Sequence, residues 1–179
     1  MRETYKMQIA GLTRELEKFP VSDSLDIAAF ILFGDTEITI AAASELLKKV
    51  PEFDYILTPE AKSIPLAYEM SRQSGKPYMV IRKGIKVYMG NPLHVSVRSI
   101  TTNKVQDLYL GDGNVEKIKN KRVLIVDDVI STGESLTAVR KLISDAGAIE
   151  AAACAVLAEG DASNRKDIIF LEPLPLFFK

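Results

Sequence analysis

Two adjacent carboxylates, Asp127 and Asp128, close the apolar run Val123-Leu124-Ile125-Val126 and lead into Val129-Ile130-Ser131-Thr132-Gly133-Glu134-Ser135. A short run of Val, Leu and Ile reads as a fully buried strand, so the carboxylates fall at a strand end. The residues after them form a small, hydroxyl-rich turn that opens a helix. Free backbone N–H groups at such a turn, with the helix dipole behind them, make an anion site suited to a phosphate. Ser131, Thr132 and Ser135 add hydroxyl donors, and Gly133 lets the backbone approach closely. Carboxylates beside a phosphate pocket are repulsive unless they face something else, such as ribose hydroxyls or a magnesium shell. A phosphorylated sugar satisfies both demands at once.

The stretch from Val123 to Ser135 resembles the phosphoribosyl-pyrophosphate signature of the type I phosphoribosyltransferases. Phosphorelay receiver domains also carry an acidic strand end, but there the Asp pair follows the first strand. Here it lies in the last third of a 179-residue chain, which leaves too few residues for the rest of that fold. Two further loops support the resemblance. Thr58-Pro59-Glu60-Ala61-Lys62-Ser63 is similar to the pyrophosphate loop of the adenine and xanthine branch, usually Glu-Ala-Arg/Ser-Gly. Lys62-Ser63 departs from that pattern and leaves the loop's peptide geometry open. Arg82-Lys83-Gly84-Ile85-Lys86 is similar to the Arg-Lys-x-Gly-Lys that opens the flexible catalytic hood.

The resemblance implies a single domain over residues 1–179. Its fold is α/β, a mostly parallel central sheet with helices on both faces and a small N-terminal hood from about residues 19–34. It implies transfer of phosphoribose to a purine, with release of pyrophosphate. Asp127 and Asp128 would fix the ribose. Val129 to Ser135, Glu134 included, would hold the 5′-phosphate, while Glu60, Ala61, Lys62, Ser63, Arg82 and Lys83 would hold pyrophosphate. Lys83 joins the two aspartates as a catalytic candidate. Magnesium is the implied cofactor, held mainly through substrate oxygens. Leu25, Phe30, Leu32 and Phe33 would meet the base. Leu32 stands where xanthine-type relatives carry an asparagine that reads the 2-oxo group, so adenine, giving AMP, is the expected base. Hypoxanthine, guanine or xanthine are the alternatives, as is a non-catalytic purine-sensing regulator. No general acid or base is evident, because Thr101 stands where adenine-type relatives carry glutamate. Tyr88, His94 and Arg98 fall in the flexible segment, where catalytic and ordinary roles both stay open. A homodimer is the expected assembly.

Positioning these loops requires a framework, and the rest of the chain supplies one. Apolar residues make up 47% and charged residues 26%, which fits a globular core. Net charge is -1, without the basic excess of a chain that lives on nucleic acid. No apolar run reaches the roughly 18 to 20 residues of a membrane span, and the N-terminus lacks a secretory core, so a cytoplasmic protein is expected. Cys154, the single cysteine, excludes an intrachain disulfide and reads as a small buried hydrophobe. His94, the single histidine, excludes a His/Cys metal cage.

Tyr5, Ile9, Leu12, Leu16 and Phe19 predict an opening amphipathic helix ended near Pro20, and residues 25–33 an irregular extended segment. Asp35 should cap a helix burying Ile40, Ala43, Leu47 and Val50. Strands are predicted at 55–57, 78–81, 122–126, 149–157 and 168–171. Between them run a helix with Pro65 in its first turn and Gly75 at its end, and another burying Leu136, Val139, Ile143 and Ala146 before Gly147. Two β-rich stretches, 94–100 and 105–110, precede Asp112-Gly113, which carries hairpin turn chemistry. Strand–helix alternation of this kind builds a parallel sheet whose ligands bind beyond the carboxyl ends of the strands.

Overall fold

The computed structural model describes residues 2–98 and 105–179. Along the chain run β1 (Thr4–Ile9), β2 (Leu12–Ser22), β3 (Leu25–Ala28), α1 (Thr36–Leu47), β4 (Tyr55–Pro59), α2 (Ile64–Ser74) and β5 (Tyr78–Ile81). They are followed by β6 (Leu93–Arg98), β7 (Val105–Leu110), α3 (Asp112–Ile118), β8 (Arg122–Ile130), α4 (Glu134–Asp145), β9 (Ile149–Glu159), β10 (Ile169–Leu174) and β11 (Phe177–Phe178).

The core is a five-stranded parallel sheet in the order β10-β9-β8-β4-β5. Alternation along β8 sends Leu124 and Val126 to one face, where they meet Ala42 and Leu46 of α1 and Leu66 and Met70 of α2. Val123 and Ile125 point to the other face, against Leu136, Val139 and Leu142 of α4 and Val95 and Leu108 of the β6–β7 hairpin. Each such fully buried side chain is worth roughly 1.5–3 kcal/mol, so β8 is anchored from both sides. Its carboxyl end, with the acidic pair, is therefore a fixed platform.

Asp35 caps α1 as expected, its Oδ1 accepting from the Ile38 N–H at 3.2 Å. Gly75 ends α2 in the left-handed region, at φ 69°, and Pro65 sits in that helix's first turn. Leu136, Val139, Ile143 and Ala146 are all buried, and Cys154 is fully so, its thiol pushed well up by burial.

Four expectations are corrected. The opening helix is a β-hairpin: β1 and β2 pair antiparallel with Tyr5 opposite Leu16 and Ile9 opposite Leu12. Those residues share one face of a two-stranded ribbon, and Ala10 and Gly11, both at positive φ, make its turn. The hood is wider than residues 19–34, because a small sheet β1-β2-β3-β11 takes in Thr4 to Ala28 and the distant Phe177 and Phe178. In α1, Ile40 is half exposed and Val50 lies beyond the helix, while Ile38, Ala42 and Leu46 take the buried stripe with Ala43. Asp112 and Gly113 open α3 rather than closing a hairpin, and Asp112 Oδ2 accepts from the Asn91 N–H at 3.1 Å. No helix among the described residues is long and apolar enough to cross a membrane.

Candidate active site

The carboxyl ends of β4 and β8 open into one cleft of about 210 Å³, lined by residues 59–63, Lys83, Gln106, Asp127, Asp128, Val129 and Ser135. Three segments far apart in sequence thus converge as the motif reading requires. They do so because β4 and β8 are neighbours in the sheet and β5 follows on the other side of β4.

The cleft sets Asp127 and Asp128 beside two lysines, Lys62 and Lys83. Asp128 is buried, and Lys62 Nζ lies 2.9 Å from its Oδ2. Among the described residues Oδ2 has this ion pair but no well-directed hydrogen bond. The Asp128 amide donates to Asp127 Oδ1 at 2.9 Å. Burial first, then the charge and hydrogen bond of Asp128, push the Asp127 carboxyl well above the carboxylate range, opposed by the Asp128 amide and Lys62. Glu159, at the end of neighbouring β9, is also raised by burial and lowered in part by Lys62. Three carboxylates therefore share one ammonium group. Ribose hydroxyls or the waters of a divalent cation would supply the donors that Asp128 Oδ2 lacks. Among the described residues no group of three His, Cys, Asp or Glu side chains could cage a metal directly. The donor set fits magnesium carried on substrate oxygens.

The loop residues divide by what their side chains are already doing. Glu60 accepts from Arg82 Nη1 at 2.9 Å and from the Lys83 N–H at 2.6 Å, so its carboxylate ties the two loops together. The Arg82 guanidinium also donates to the Tyr88 hydroxyl at 2.8 Å and lines a neighbouring cavity of about 420 Å³. Ser63 Oγ is buried, accepting from Thr58 Oγ1 at 2.7 Å and donating to the Pro59 carbonyl at 3.0 Å. Lys62 and Lys83 are left exposed to the cleft. The Glu60-Ala61 peptide is cis, which answers the question of loop geometry.

After β8 the chain turns through Ser131 and Thr132 into α4. Gly133 is the N-cap at φ 80°, a conformation that favours glycine. Val129 and Ile130 still belong to β8, paired with Leu157 and Ala158, and the Ile130 side chain is buried. Only the backbone of Ile130 is available to a ligand. Ser135 lines the cleft, its Oγ donating to Gln106 Oε1 at 3.3 Å.

The expected base residues are not gathered at this cleft. Phe30 and Leu32 are 4% and 1% exposed, packed in the core on the α1 face. Leu25 is half-buried in β3, opposite Phe178, and Phe33 is 55% exposed. His94 stacks on Tyr109 with ring centroids 4.5 Å apart and pairs with Asp107 at 2.8 Å. Thr101 lies outside the described residues, as does the segment around it. Sequence reasoning missed Gln106, Glu159 and Arg165. Arg165 follows a short 3-10 turn after β9 and reaches back over Gly133.

Comparison with known proteins agrees with this geometry. A family model of the phosphoribosyl transferase domain matches residues 35–172. A hypoxanthine/guanine phosphoribosyltransferase of Methanocella paludicola is 32% identical over 145 residues, 81% of this chain and 70% of that protein. One from Methanococcus voltae is 33% identical over 147 residues, 82% of this chain and 72% of that protein. Among solved structures, adenine phosphoribosyltransferase from Thermoanaerobacter pseudethanolicus superposes with a TM-score of 0.73 at 20% identity, covering 88% of this chain and 95% of that one. The acidic end of β8, the turn into α4 and the lysine-bearing loops thus sit in a fold shared with solved transferases, and the chain belongs to the phosphoribosyltransferase family.

Proposed function

We propose that the protein transfers phosphoribose from phosphoribosyl pyrophosphate to a purine base, releasing pyrophosphate and a nucleoside monophosphate. The observation that carries this reading is the single cleft in which residues 59–63, Lys83, Asp127, Asp128 and Ser135 meet. The anomeric carbon develops positive charge in such a reaction, so the protein needs no nucleophile. Its tasks are alignment of the reactants and stabilisation of the leaving group. Asp127 and Asp128 meet the ribose hydroxyls, and the charge of Asp128, the carboxylate paired with Lys62, favours the developing cation. Lys62 and Lys83 neutralise pyrophosphate. Residues 131–135 hold the 5′-phosphate by backbone N–H groups and hydroxyls. Asp127 and Asp128 would be the side chains beside a magnesium ion carried on substrate oxygens, which would supply neutralisation of the pyrophosphate charge.

The Leu32 argument for adenine falls away, because that side chain is packed in the core. Two relatives at 32–33% identity are hypoxanthine/guanine enzymes, whereas two solved adenine enzymes that share the fold stand at 20% and 18%. A 6-oxopurine is therefore the first substrate and adenine the second. Initial rates with labelled phosphoribosyl pyrophosphate, magnesium and equal concentrations of hypoxanthine, guanine, adenine and xanthine test both points. Turnover fastest with adenine would reverse the order of bases. No turnover with any base would favour a sensor on the same fold. A homodimer in the cytoplasm completes the proposal, with the molecular mass in solution as its check.

A further inference from the structure

Arg165 is held in a fixed orientation. Its Nε donates to Asp167 Oδ1 at 2.9 Å and its Nη2 to Asp167 Oδ2 at 2.7 Å. Asp167 is gripped in turn by Arg140 Nη1 of α4 at 2.6 Å, and Arg140 by Glu150 of β9 at 2.8 Å. The chain of ion pairs Glu150, Arg140, Asp167 and Arg165 thus ties β9, the β9–β10 connection and α4 together. It leaves one nitrogen of Arg165 over. Nη1 has no hydrogen-bond partner among the described residues. It is also the atom aimed at the turn: a Cβ added at Gly133 would overlap Nη1 and stand 3.4 Å from Cζ.

We propose that Arg165 is a phosphate-contacting residue, its Nη1 donating to the 5′-phosphate seated on residues 131–135. The proposal deepens the transferase reading and rests on it. Between Ser131 and Ser135 the chain brings hydroxyls and one carboxylate, Glu134, but no cation. Lys62 and Lys83 line the cleft from the loops that follow β4 and β5. The two anionic ends of the substrate are therefore met by different cations, lysines at one and an arginine at the other. A guanidinium with two nitrogens already fixed by a carboxylate has lost its rotamer freedom before the ligand arrives, so its third nitrogen is preorganised. Asp167 keeps its charge throughout, held well below the ordinary carboxylate range by Arg165 and Arg140.

The test is calorimetric titration of the full chain with ribose 5-phosphate and, separately, with pyrophosphate plus magnesium. Arg165→Gln should weaken ribose 5-phosphate about tenfold or more, the scale of one charged hydrogen bond. Pyrophosphate affinity should stay within about twofold of wild type, since its cations are untouched. Should Arg165→Gln fail to fold, Arg165→Lys carries the same comparison, because it keeps the charge and loses the fork to Asp167. Unchanged ribose 5-phosphate affinity would overturn the proposal, as would equal weakening of both ligands, which marks a general structural effect. Failure of the wild-type protein to bind either ligand would instead overturn the transferase reading itself.

Discussion

Asp127→Asn is expected to stabilise the free protein at alkaline pH while lowering its activity. In the empty cleft the carboxyls of Asp127 and Asp128 are adjacent, and Lys62 faces Asp128 rather than Asp127. Burial first, and Asp128 second, raise the Asp127 carboxyl from 3.8 to about 8. A carboxyl raised by folding binds its proton more tightly in the folded chain than in the unfolded one. Its contribution is therefore fully present below the unfolded value and is lost as pH rises through the folded value. The window runs from pH 3.8 to about 8. At about 1.4 kcal/mol per pH unit, that window sets a ceiling of roughly 6 kcal/mol on the loss. Asp127 keeps a face on the cleft, where entering water relaxes the repulsion, so about 1–3 kcal/mol is the expected size.

The assay is urea unfolding of wild type and Asp127→Asn between pH 5 and 9, with chelator present and no ligand. Taking the difference between the two proteins cancels the groups that do not interact with Asp127, and leaves the titration of the Asp127–Asp128 pair. Wild type should lose stability relative to the variant as pH rises toward 8, and the variant should be the more stable at pH 8. Parallel pH profiles, or a variant less stable at pH 8, would refute the picture of a strained carboxylate pair. The same substitution should lower kcat/KM by about tenfold, since a ribose hydroxyl loses a carboxyl partner that can ionise when substrate cations enter.

Three other outcomes are expected. Asp128→Asn should lower kcat/KM for phosphoribosyl pyrophosphate by about tenfold or more, the loss of one charged hydrogen bond, and near wild-type turnover would remove Asp128 from the ribose site. Gly133→Val should leave the fold intact at a cost of about 1–2 kcal/mol for a left-handed β-branched residue, yet weaken ribose 5-phosphate in calorimetry, because the new side chain displaces Arg165. Deleting residues 177–179 should open the small sheet: Phe177 stacks edge-on against Tyr5 at 5.1 Å, and Lys179 pairs with Asp26 at 2.8 Å. Hydrogen exchange should then quicken in β2 and β3 while β8 and β9 keep their protection, with about 2–4 kcal/mol lost locally.

The hairpin at the N-terminus shows why its period was ambiguous. Tyr5, Ile9, Leu12 and Leu16 recur at steps of four, three and four because two paired strands put them on one face, with Tyr5 opposite Leu16 and Ile9 opposite Leu12. A helix would give the same spacing. The discriminating residue was Arg14, opposite Met7 on that same face, which a helical stripe would leave in solvent. It is drawn inward by Asp35, whose two oxygens take its Nε at 2.6 Å and Nη2 at 2.9 Å. No local pattern reports a partner twenty-one residues away. The joining of Phe177 to this sheet is a longer connection of the same kind, and the hood's extent was hidden for that reason.

The candidate site divides along the same line. Asp127, Asp128 and the turn to Ser135 were legible because one strand end and one helix start carry them all, so adjacency in sequence is adjacency in space. Lys62 was legible as a cation on a loop, but its pairing with Asp128 depends on β4 lying beside β8. Glu159 and Arg165 had no signal at all. Each is an ordinary charged residue, and each reaches the site only because β9 is the other neighbour of β8 and the chain turns back after it. Their position also has a mechanical consequence. The ion pairs from Glu150 through Arg140 and Asp167 to Arg165 tie the middle of α4 to β9 and the β9–β10 connection, and Arg165 lies over Gly133 at the helix's start. A phosphate seated on that turn, as proposed, would meet N–H groups that follow directly from β8 on one side and have Arg165 over Gly133 on the other. The parts that a motif can encode supply the donors, and the parts it cannot encode set Arg165 over them.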